Sequence, residues 1–305
     1  MQEIFFQNCR KIRLSCSQCT NSFAEALYYA IMMHQKKKSV KKTEDAEGFG
    51  MTTAWEIKQY DSIDSTSLEA KRLIGQGRGH GVVVSARTQT AGRGRLNRVW
   101  DSAADAGIWF SVILEPDVPM EQMSLYSFVA AVAVAEAVQE TAGLAVQVKW
   151  PNDVLSGGRK LCGILLELVA ERNQPLRIIM GIGINASQQL ADFPEEVQQK
   201  ATSLALETGK AIDRNLVLDA VLRWLDVYSR QLEQSGFEPV KKRWQELSCM
   251  SGKAIQIVRQ GEALLYGTAL GVADDGARLV QTEHGVERII AGDVSLRAAD
   301  GGYAV

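Results

Sequence analysis

Histidine and cysteine are scarce in this 305-residue sequence. It contains three histidines, and no two of them lie three or four residues apart in the chain. Because that spacing would place two ligands on one face of a helix, a histidine-rich metal site is not expected, nor is a Ser-His-Asp triad. The five cysteines are unevenly spread, which predicts a reduced, cytoplasmic protein rather than a disulfide-rich secreted one.

Long hydrophobic runs and a charge excess are also lacking. The longest apolar run, residues 130–138, contains Glu136 and is too short to span a bilayer. The N-terminus does not show the charged-then-apolar pattern of a signal peptide. Since 34 Lys and Arg residues nearly balance 36 Asp and Glu residues, the formal charge is −2. No global field attracts nucleic acid or a membrane surface, neither partner is expected, and any anion binding must be local.

The composition is that of an ordinary globular protein, with 46% hydrophobic and 23% charged residues. The length predicts one sizeable domain plus a smaller unit. We expect an N-terminal extension at residues 1–50, a larger domain at 51–249, and a small all-β domain of SH3-like size at 250–299. The last follows from short alternating segments separated by turn signals after Gly252.

The N-terminal extension differs from everything after it. It holds three of the five cysteines and a cluster of lysines at residues 36–42, without turn signals. Cys9, Cys16 and Cys19 lack a fourth ligand for a zinc site. A DNA-binding helix-turn-helix needs a turn glycine, but the first glycine is Gly48. We therefore expect a poorly ordered segment, and Met51 is a candidate for the true start.

From Met51 onward the pattern becomes regular. Helices are predicted at about residues 66–75, 120–141, 215–234 and 240–247, and Thr66 and Glu69 have capping-box spacing. The polar stretch 186–209 is predicted to be a flexible loop able to cover a ligand. Strands are predicted at residues 55–60, 82–84, 107–114, 146–150, 160–167 and 178–185.

A glycine-rich string, GRGRLNR, occupies residues 92–98 and is followed closely by Trp100. Its glycines allow close approach of a ligand, and Arg93 and Arg95 offer guanidinium groups to phosphate or carboxylate oxygens. The string lacks the third glycine of a dinucleotide fingerprint, and the chain contains no P-loop pattern. It predicts an anion-binding loop or, alternatively, a turn with solvated arginines.

Three further motifs bear chemistry-capable residues. The motif KWPND at 149–153 contains Asp153. This carboxylate could have a chemical role, binding Mg²⁺ or accepting a proton from an amine, or a structural role, capping a turn. Lys160 is the first residue of a predicted strand. It is either a surface residue or a fixed cation that stabilises the negative charge developing during a reaction. GIGIN at 181–185 either leaves room for a flat ligand or allows tight packing.

Taken in this order, the motifs resemble the biotin protein ligases. The resemblance runs from Trp55 to Arg297 and departs from that family where Leu96 and Asn97 replace an arginine and a glycine of GRGRRGR. It implies an α+β fold, with a mixed β-sheet flanked by helices as in class II synthetases, and a C-terminal SH3-like β-barrel. The motifs that carry it are STS at 65–67, Gln89 with GRGRLNR, KWPND, KLCGILLE at 160–167, GIGIN, and SLR at 295–297.

The resemblance also implies a two-step reaction that uses ATP and Mg²⁺. The carboxylate of biotin attacks the α-phosphorus of ATP and expels pyrophosphate. A lysine amine of a biotin carboxyl carrier domain then attacks the biotinyl-adenylate and releases AMP. No residue of the protein is expected to bind the metal ion. Sheet-edge homodimers are common in that family, so a homodimer is also expected.

Site residues follow from the same resemblance. Lys160, Arg95 and Asp153 are expected to be catalytic, with Asp153 orienting or deprotonating the incoming lysine. The expected biotin-binding residues are Ser65, Thr66, Ser67, Gln89, Arg93, Gly94, Arg95, Lys160, Gly163, Gly181 and Gly183. The expected ATP- or adenylate-binding residues are Arg93, Arg95, Trp100, Lys149, Asn152, Asn185 and Arg297.

Two alternatives remain open. Some members of the family carry an N-terminal winged helix and also repress a biotin operon, so a bifunctional ligase/repressor is one of them. Residues 1–50 lack the sequence pattern of such a domain. The other is a biotin-binding protein without turnover, which the changes at Leu96 and Asn97 suggest and the retention of Lys160 and Asp153 opposes.

Overall fold

The computed structural model describes residues 53–172, 174–259, 261–292 and 294–303. The predicted extension at 1–50 lies outside these residues. Within them, twelve strands form a seven-stranded and a five-stranded sheet. No described helix combines the length and the apolar character needed to cross a membrane.

The larger sheet is mixed, as the sequence predicts. Its spatial order is β1-β2-β3-β7-β6-β5-β4, in which β1 and β2 run parallel and all other neighbours are antiparallel. The strands are β1 Glu56–Ile63, β2 Val82–Gln89, β3 Gly107–Leu114, β4 Gln147–Lys149, β5 Asp153–Ser156, β6 Arg159–Val169 and β7 Arg177–Asn185.

Helices cover both faces of this sheet. They are α1 Thr66–Gly75, α2 Tyr126–Ala142, α3 Leu204–Thr208, α4 Arg214–Ser235 and α5 Glu238–Leu247. In β2 the side chain of Val83 packs into the core on the α2 and α4 side, whereas Val82 and Val84 pack on the α1 side. This two-sided burial explains why β2 is a continuous apolar run rather than an alternating one.

Two local predictions were wrong. Thr66 and Glu69 do not form a capping box: Ser65 is the N-cap residue without a side-chain bond, and the Thr66 hydroxyl turns to Gln89 instead. The predicted helix from residue 120 begins with a 3-10 turn, Met120–Leu125, and becomes α-helical at Tyr126. Its end is as predicted, because Gly143 takes the left-handed conformation that glycine tolerates.

The segment 186–209, predicted to be a flexible loop, has structure of its own. It contains two 3-10 turns, Leu190–Asp192 and Glu195–Val197, and then α3. The Lys160 amide donates to the carbonyl of Lys200 (2.7 Å), and the Thr202 amide donates to the carbonyl of Lys160 (2.9 Å). These backbone bonds hold the segment against the start of β6.

The smaller sheet is antiparallel, with the order β11-β10-β9-β8-β12. Among the described residues no pairing joins β11 to β12, and the five antiparallel strands agree with the predicted SH3-like domain. Its apolar face packs into the same core as α2 and α5. The boundary between the two domains at residue 250 stays a prediction. The strands are β8 Ala254–Arg259, β9 Glu262–Val272, β10 Arg278–Thr282, β11 Gly285–Ile289 and β12 Val294–Ala298.

Candidate active site

A cavity of about 750 Å³ opens between the large sheet, the glycine-rich loop, the 186–209 segment and the end of the C-terminal sheet. The structure brings every predicted site residue to its lining, although their individual roles stay predictions. These residues are Ser65, Thr66, Ser67, Gln89, Arg93, Gly94, Arg95, Trp100, Lys149, Asn152, Asp153, Lys160, Gly163, Gly181, Gly183, Asn185 and Arg297.

One end of the cavity is lined by a chain of hydroxyl and amide groups. The Ser111 hydroxyl donates to Thr66 Oγ1 (2.8 Å) and lies 3.0 Å from the Ser67 hydroxyl. The Thr66 amide and hydroxyl both donate to Gln89 Oε1, and Gln89 Nε2 donates to Ser102 Oγ (2.7 Å). These bonds hold the polar groups in place, so this end suits a small ligand with several hydrogen-bonding atoms.

The glycines of β6 and β7 form the floor, but the indole of Trp100 covers part of it. Gly163 and Gly183 are paired across the two strands. A Cβ atom at Gly163 or Gly183 would lie only 2.6 Å from that ring, whereas one at Gly181 would meet Ser67 Oγ at 2.9 Å. Only glycine at these positions admits the ring. The Trp100 Nε1 is buried against Gly183 and has no hydrogen-bond partner among the residues that the structure describes.

The opposite end is charged. Lys160 Nζ lies 2.6 Å from Asp153 Oδ1, and the Tyr303 hydroxyl donates to Asp153 Oδ2. Burial alone would raise the pKa of Asp153, but the positive charges of Lys160 and Lys149 outweigh it and lower that pKa. Asp153 is therefore a firmly ionised carboxylate and a weak base. This geometry favours orientation of Lys160 over deprotonation of an incoming amine.

Lys149 contributes a second cation that is almost fully buried. Its Nζ lies 3.6 Å from the centroid of the Tyr303 ring, and the Arg297 guanidinium lies 5.2 Å from the same ring. Burial lowers the pKa of Lys149 to about 7, although Asp153 acts in the opposite direction. The end of β4 thus holds an ammonium group that an incoming polyanion would keep protonated.

The glycine-rich loop is fastened at two points. Arg93 Nη1 forms an ion pair with Glu167 (2.9 Å). Arg95 Nη1 donates to Asn152 Oδ1 (3.1 Å), and its Nη2 donates to the carbonyl of Gly292 (2.6 Å), which lies between β11 and β12. Both arginines therefore have partners in the protein, which differs from the alternative prediction of a turn with solvated arginines. Between these arginines and Trp100, Leu96 lies at the tip with a φ of 57°, a strained value for leucine.

Asn152 and Asn185 have structural partners as well. Asn152 Nδ2 donates to the carbonyl of Ile164 (2.7 Å), which fixes the turn between β4 and β5. Asn185 Nδ2 donates to the carbonyl of Thr202 (2.9 Å), and Asn185 Oδ1 accepts a bond from Gln188 Nε2 (3.3 Å). Asn185 therefore holds the 186–209 segment over the cavity, and this explains why an amide side chain ends β7.

The donor set does not form a resident metal site. In the described ranges no three His, Cys, Asp or Glu side chains are grouped to hold an ion. Asp153 offers two oxygens, but Lys160 and Tyr303 engage both. Mg²⁺ prefers several oxygen ligands, so these residues do not fit one of its own, and no step below is derived through it.

Sequence reasoning missed several residues of the site. Ser111 is the one polar residue within the apolar strand GIWFSVIL, a signal that was available. Ser102 follows the glycine-rich loop, and Phe193 lines the cavity from a segment with weak patterning. Tyr303 lies beyond every motif, and nothing in the sequence indicates its position.

Because the Lys149 ammonium is buried, we expect that replacing Lys149 with an apolar residue stabilises the protein, by an amount that depends on pH. Because the unfolded chain binds this proton up to about pH 10 and the folded chain only to about pH 7, stability is lowered most below pH 7 and not at all above pH 10. Lys149→Met should raise the free energy of unfolding by about 2–4 kcal/mol at pH 7, and the gain should shrink as the pH rises.

Denaturant unfolding at pH 7 and pH 9.5 measures this gain. Lys210→Met is the matched control, because Lys210 is exposed. A gain that is independent of pH, or a loss of stability, would contradict the burial of a charged Lys149.

Sequence models of protein families match two parts of the chain. The biotin/lipoate A/B protein ligase family matches residues 60–185, and the biotin protein ligase C terminal domain matches residues 250–297. The first match spans the glycine-rich loop, KWPND and GIGIN. The second spans the strands of the smaller sheet.

Individual proteins agree with these matches. The chain is 38% identical over 263 residues to the bifunctional ligase/repressor BirA of Bacillus subtilis, covering 85% of this chain and 81% of that protein. It is 35% identical over 240 residues to the biotin--[acetyl-CoA-carboxylase] ligase of Paracoccus denitrificans, covering 76% and 96%. The structure resembles the biotin protein ligase of Aquifex aeolicus in complex with biotin and ATP, with a TM-score of 0.71, 31% identity, and coverage of 80% and 99%.

Proposed function

Because the chain belongs to the biotin/lipoate A/B protein ligase family, we propose that it is a biotin protein ligase that activates biotin with ATP and transfers it to a carrier lysine. The observation that carries this is the cavity itself. It joins a hydroxyl-lined end, suited to a small polar ring, to an end where Lys160, Lys149 and Arg95 converge. A reaction between a carboxylate and a polyphosphate requires both.

The first step brings the biotin carboxylate to the α-phosphorus of ATP. An oxygen of the carboxylate forms the new P–O bond while the bond to the leaving pyrophosphate breaks. Two anions repel each other, so fixed cations must offset this repulsion and stabilise the charge that grows on the α-phosphate oxygens. Lys160, held by Asp153 at 2.6 Å, is preorganised for that role, and Arg95 closes the loop above it.

The second step transfers the biotinyl group. The carrier lysine, as its neutral amine, attacks the carbonyl carbon of the mixed anhydride. The bond from this carbon to the phosphate oxygen breaks, AMP leaves with the electron pair, and the nitrogen loses one proton to solvent. The strongly ionised Asp153 is a poor acceptor for that proton, so we assign it the orientation of Lys160. The carrier's lysine needs access through the mouth of the cavity, which lies beside the glycine-rich loop.

The acceptor is a biotin carboxyl carrier domain, and Mg²⁺ enters as a companion of ATP rather than as a resident ion. We further propose a homodimer, no nucleic-acid partner and a cytoplasmic location. The supply of ATP and the free, buried Cys162 and Cys249 support this location. A repressor activity like that named for the Bacillus relative is the alternative function, and a promoter-binding assay tests it.

A single assay tests the proposed activity. The protein is mixed with ATP, biotin and a biotin carboxyl carrier domain, and incorporation is read on a streptavidin blot. Pyrophosphate release that depends on biotin reports the first step alone. Tight biotin binding without pyrophosphate release would favour the binding-only alternative.

Deleting residues 1–50 should leave ligation within about twofold of the full-length rate, because every residue assigned to the site lies after Met51 and no motif of the resemblance lies before it. The measurement compares turnover on the carrier domain for the full chain and for a protein that starts at Met51. A large loss of turnover in the folded, truncated protein would show that the extension contributes to catalysis.

A further inference from the structure

Tyr303 reaches the charged end of the cavity from beyond the region that the family resemblance covers. The match to the C-terminal domain ends at residue 297, and β12 ends at Ala298. Tyr303 nevertheless lines the cavity, and its hydroxyl donates to Asp153 Oδ2. Its ring lies against Lys149 Nζ, at 3.6 Å from the centroid.

The turn that precedes Tyr303 directs it back toward the large sheet. The Gly301 amide donates to the carbonyl of Ala298 (2.9 Å), and the Ala298 amide donates to the carbonyl of Gly302 (3.0 Å). Gly301 has a φ of +89°, a conformation open to glycine. Asp300 accepts a bond from the Gly302 amide (2.8 Å) and tightens the turn further. The residues from Ala298 to Gly302 therefore turn the chain back, and this turn places the Tyr303 side chain at the cavity.

Asp153 needs the group that Tyr303 supplies. Its carboxylate is buried, and one oxygen is engaged by Lys160. A buried carboxylate oxygen without a donor is unfavourable, and the group would turn toward the nearest other cation. Lys149 is such a cation, and the Tyr303 ring lies against its ammonium. The hydroxyl and the ring together keep the carboxylate pointed at Lys160.

We propose that Tyr303 is a positioning residue for adenylate formation, which holds Asp153 through its hydroxyl and Lys149 through its ring so that Lys160 stays aimed at the reacting phosphate. This rests on the proposed ligase function. The tail after β12 is then part of the active site, and the smaller sheet contributes to catalysis by carrying it there.

The same contacts could instead make the Tyr303 side chain an obstacle to ATP binding. A ring lying against both Lys149 and Arg297 would stand in the path of a polyphosphate that approaches these cations. Positioning and obstruction predict opposite signs for removal of the side chain, so kinetics separate them.

The experiment measures biotin-dependent ATP–pyrophosphate exchange in the full-length protein, with kcat and the KM values for ATP and biotin determined separately. Tyr303→Phe keeps the ring and removes the hydroxyl. We expect its kcat to fall about 10-fold, the loss that one hydrogen bond to a charged group typically produces, with an unchanged KM for biotin. Tyr303→Leu should lower kcat at least as far and also raise the KM for ATP.

Tyr266→Phe is the matched control, because Tyr266 is exposed on β9 and lies outside the cavity lining. Its kinetics should equal those of the parent protein. Thermal unfolding accompanies every variant, and the Phe variant should unfold a few degrees below the parent protein, because a buried oxygen of Asp153 loses its donor.

Several outcomes would overturn the proposal. A Phe variant with unchanged kcat would show that the hydroxyl positions nothing, and a lower unfolding temperature without a kinetic change would show a purely structural role. A higher kcat or a lower KM for ATP in the Leu variant would show obstruction. A parent protein without any exchange would overturn the ligase function itself, and the role of Tyr303 with it.

Discussion

Lys160→Ala should lower the rate of biotinyl-adenylate formation by about 10²–10³-fold, the usual effect of removing one preorganised electrostatic contact from a transition state. The ammonium lies 2.6 Å from Asp153 Oδ1 and 5.1 Å from the centroid of the Trp100 ring, at the wall of the cavity, with the side chain 28% exposed. Its charge is thus held where the α-phosphate becomes more negative. Biotin-dependent pyrophosphate exchange measures the loss directly.

The fold should survive this change. The bonds that fasten Lys160 to the 186–209 segment are made by its backbone amide and carbonyl, which alanine retains. Asp153 keeps the Tyr303 hydroxyl and the charge of Lys149. Circular dichroism and thermal unfolding check the fold, and Lys210→Ala, an exposed lysine elsewhere, controls for the loss of one positive charge. Exchange within a few-fold of the parent rate would remove Lys160 from the mechanism.

Six of the seven strands of the large sheet were predicted, because their sequences contain apolar runs, whereas the four-residue strand β5 was not. The run GIWFSVIL gave β3 without error at either end, and β7 differed from the prediction by one residue. The start of α2 was not predictable in the same way, because Pro119 precedes a 3-10 turn and no capping residue marks the helix. The antiparallel strands of the smaller sheet were predictable from short alternating segments separated by turn signals.

The members of the site were predictable, but their partners were not. The motifs lie on different strands and on the loops that join them, and the fold brings these residues, far apart in sequence, to one cavity. The bond between Tyr303 and Asp153, however, joins residues 150 positions apart through a turn after the last strand. The contact of Trp100 with Gly163 and Gly183 likewise depends on how a loop folds onto a sheet. Local pattern carries no information about either contact.

Arg95→Gly should release biotinyl-adenylate from the protein more than it slows its synthesis. The substitution removes both guanidinium bonds that fasten the loop, one to Asn152 and one to the carbonyl of Gly292. A hydrogen bond from a charged group contributes about 1.5–3 kcal/mol, and the added glycine raises the entropy lost on loop ordering by about 0.5–1 kcal/mol. Together these terms predict escape of the intermediate that is about 10²-fold faster.

Escape of the mixed anhydride has a visible consequence. Free biotinyl-adenylate reacts with any neutral amine, so lysines of unrelated proteins become biotinylated. The measurement is the labelling of serum albumin, added as a bystander, by the parent protein and by the variant. Leu96, apolar and strained at the loop tip where the resembling family carries arginine, predicts a low background of this labelling in the parent protein itself.

Arg98→Gly provides the matched control, since it places the same substitution in the same loop on an exposed residue. Its albumin labelling should stay at the parent level, because it leaves both bonds of Arg95 in place. If Arg95→Gly also labels albumin as weakly as the parent protein while carrier modification is undiminished, the loop does not retain the intermediate. If both variants label albumin strongly, glycine flexibility rather than the two Arg95 bonds governs retention, and the assignment of Arg95 as the fastening residue is wrong.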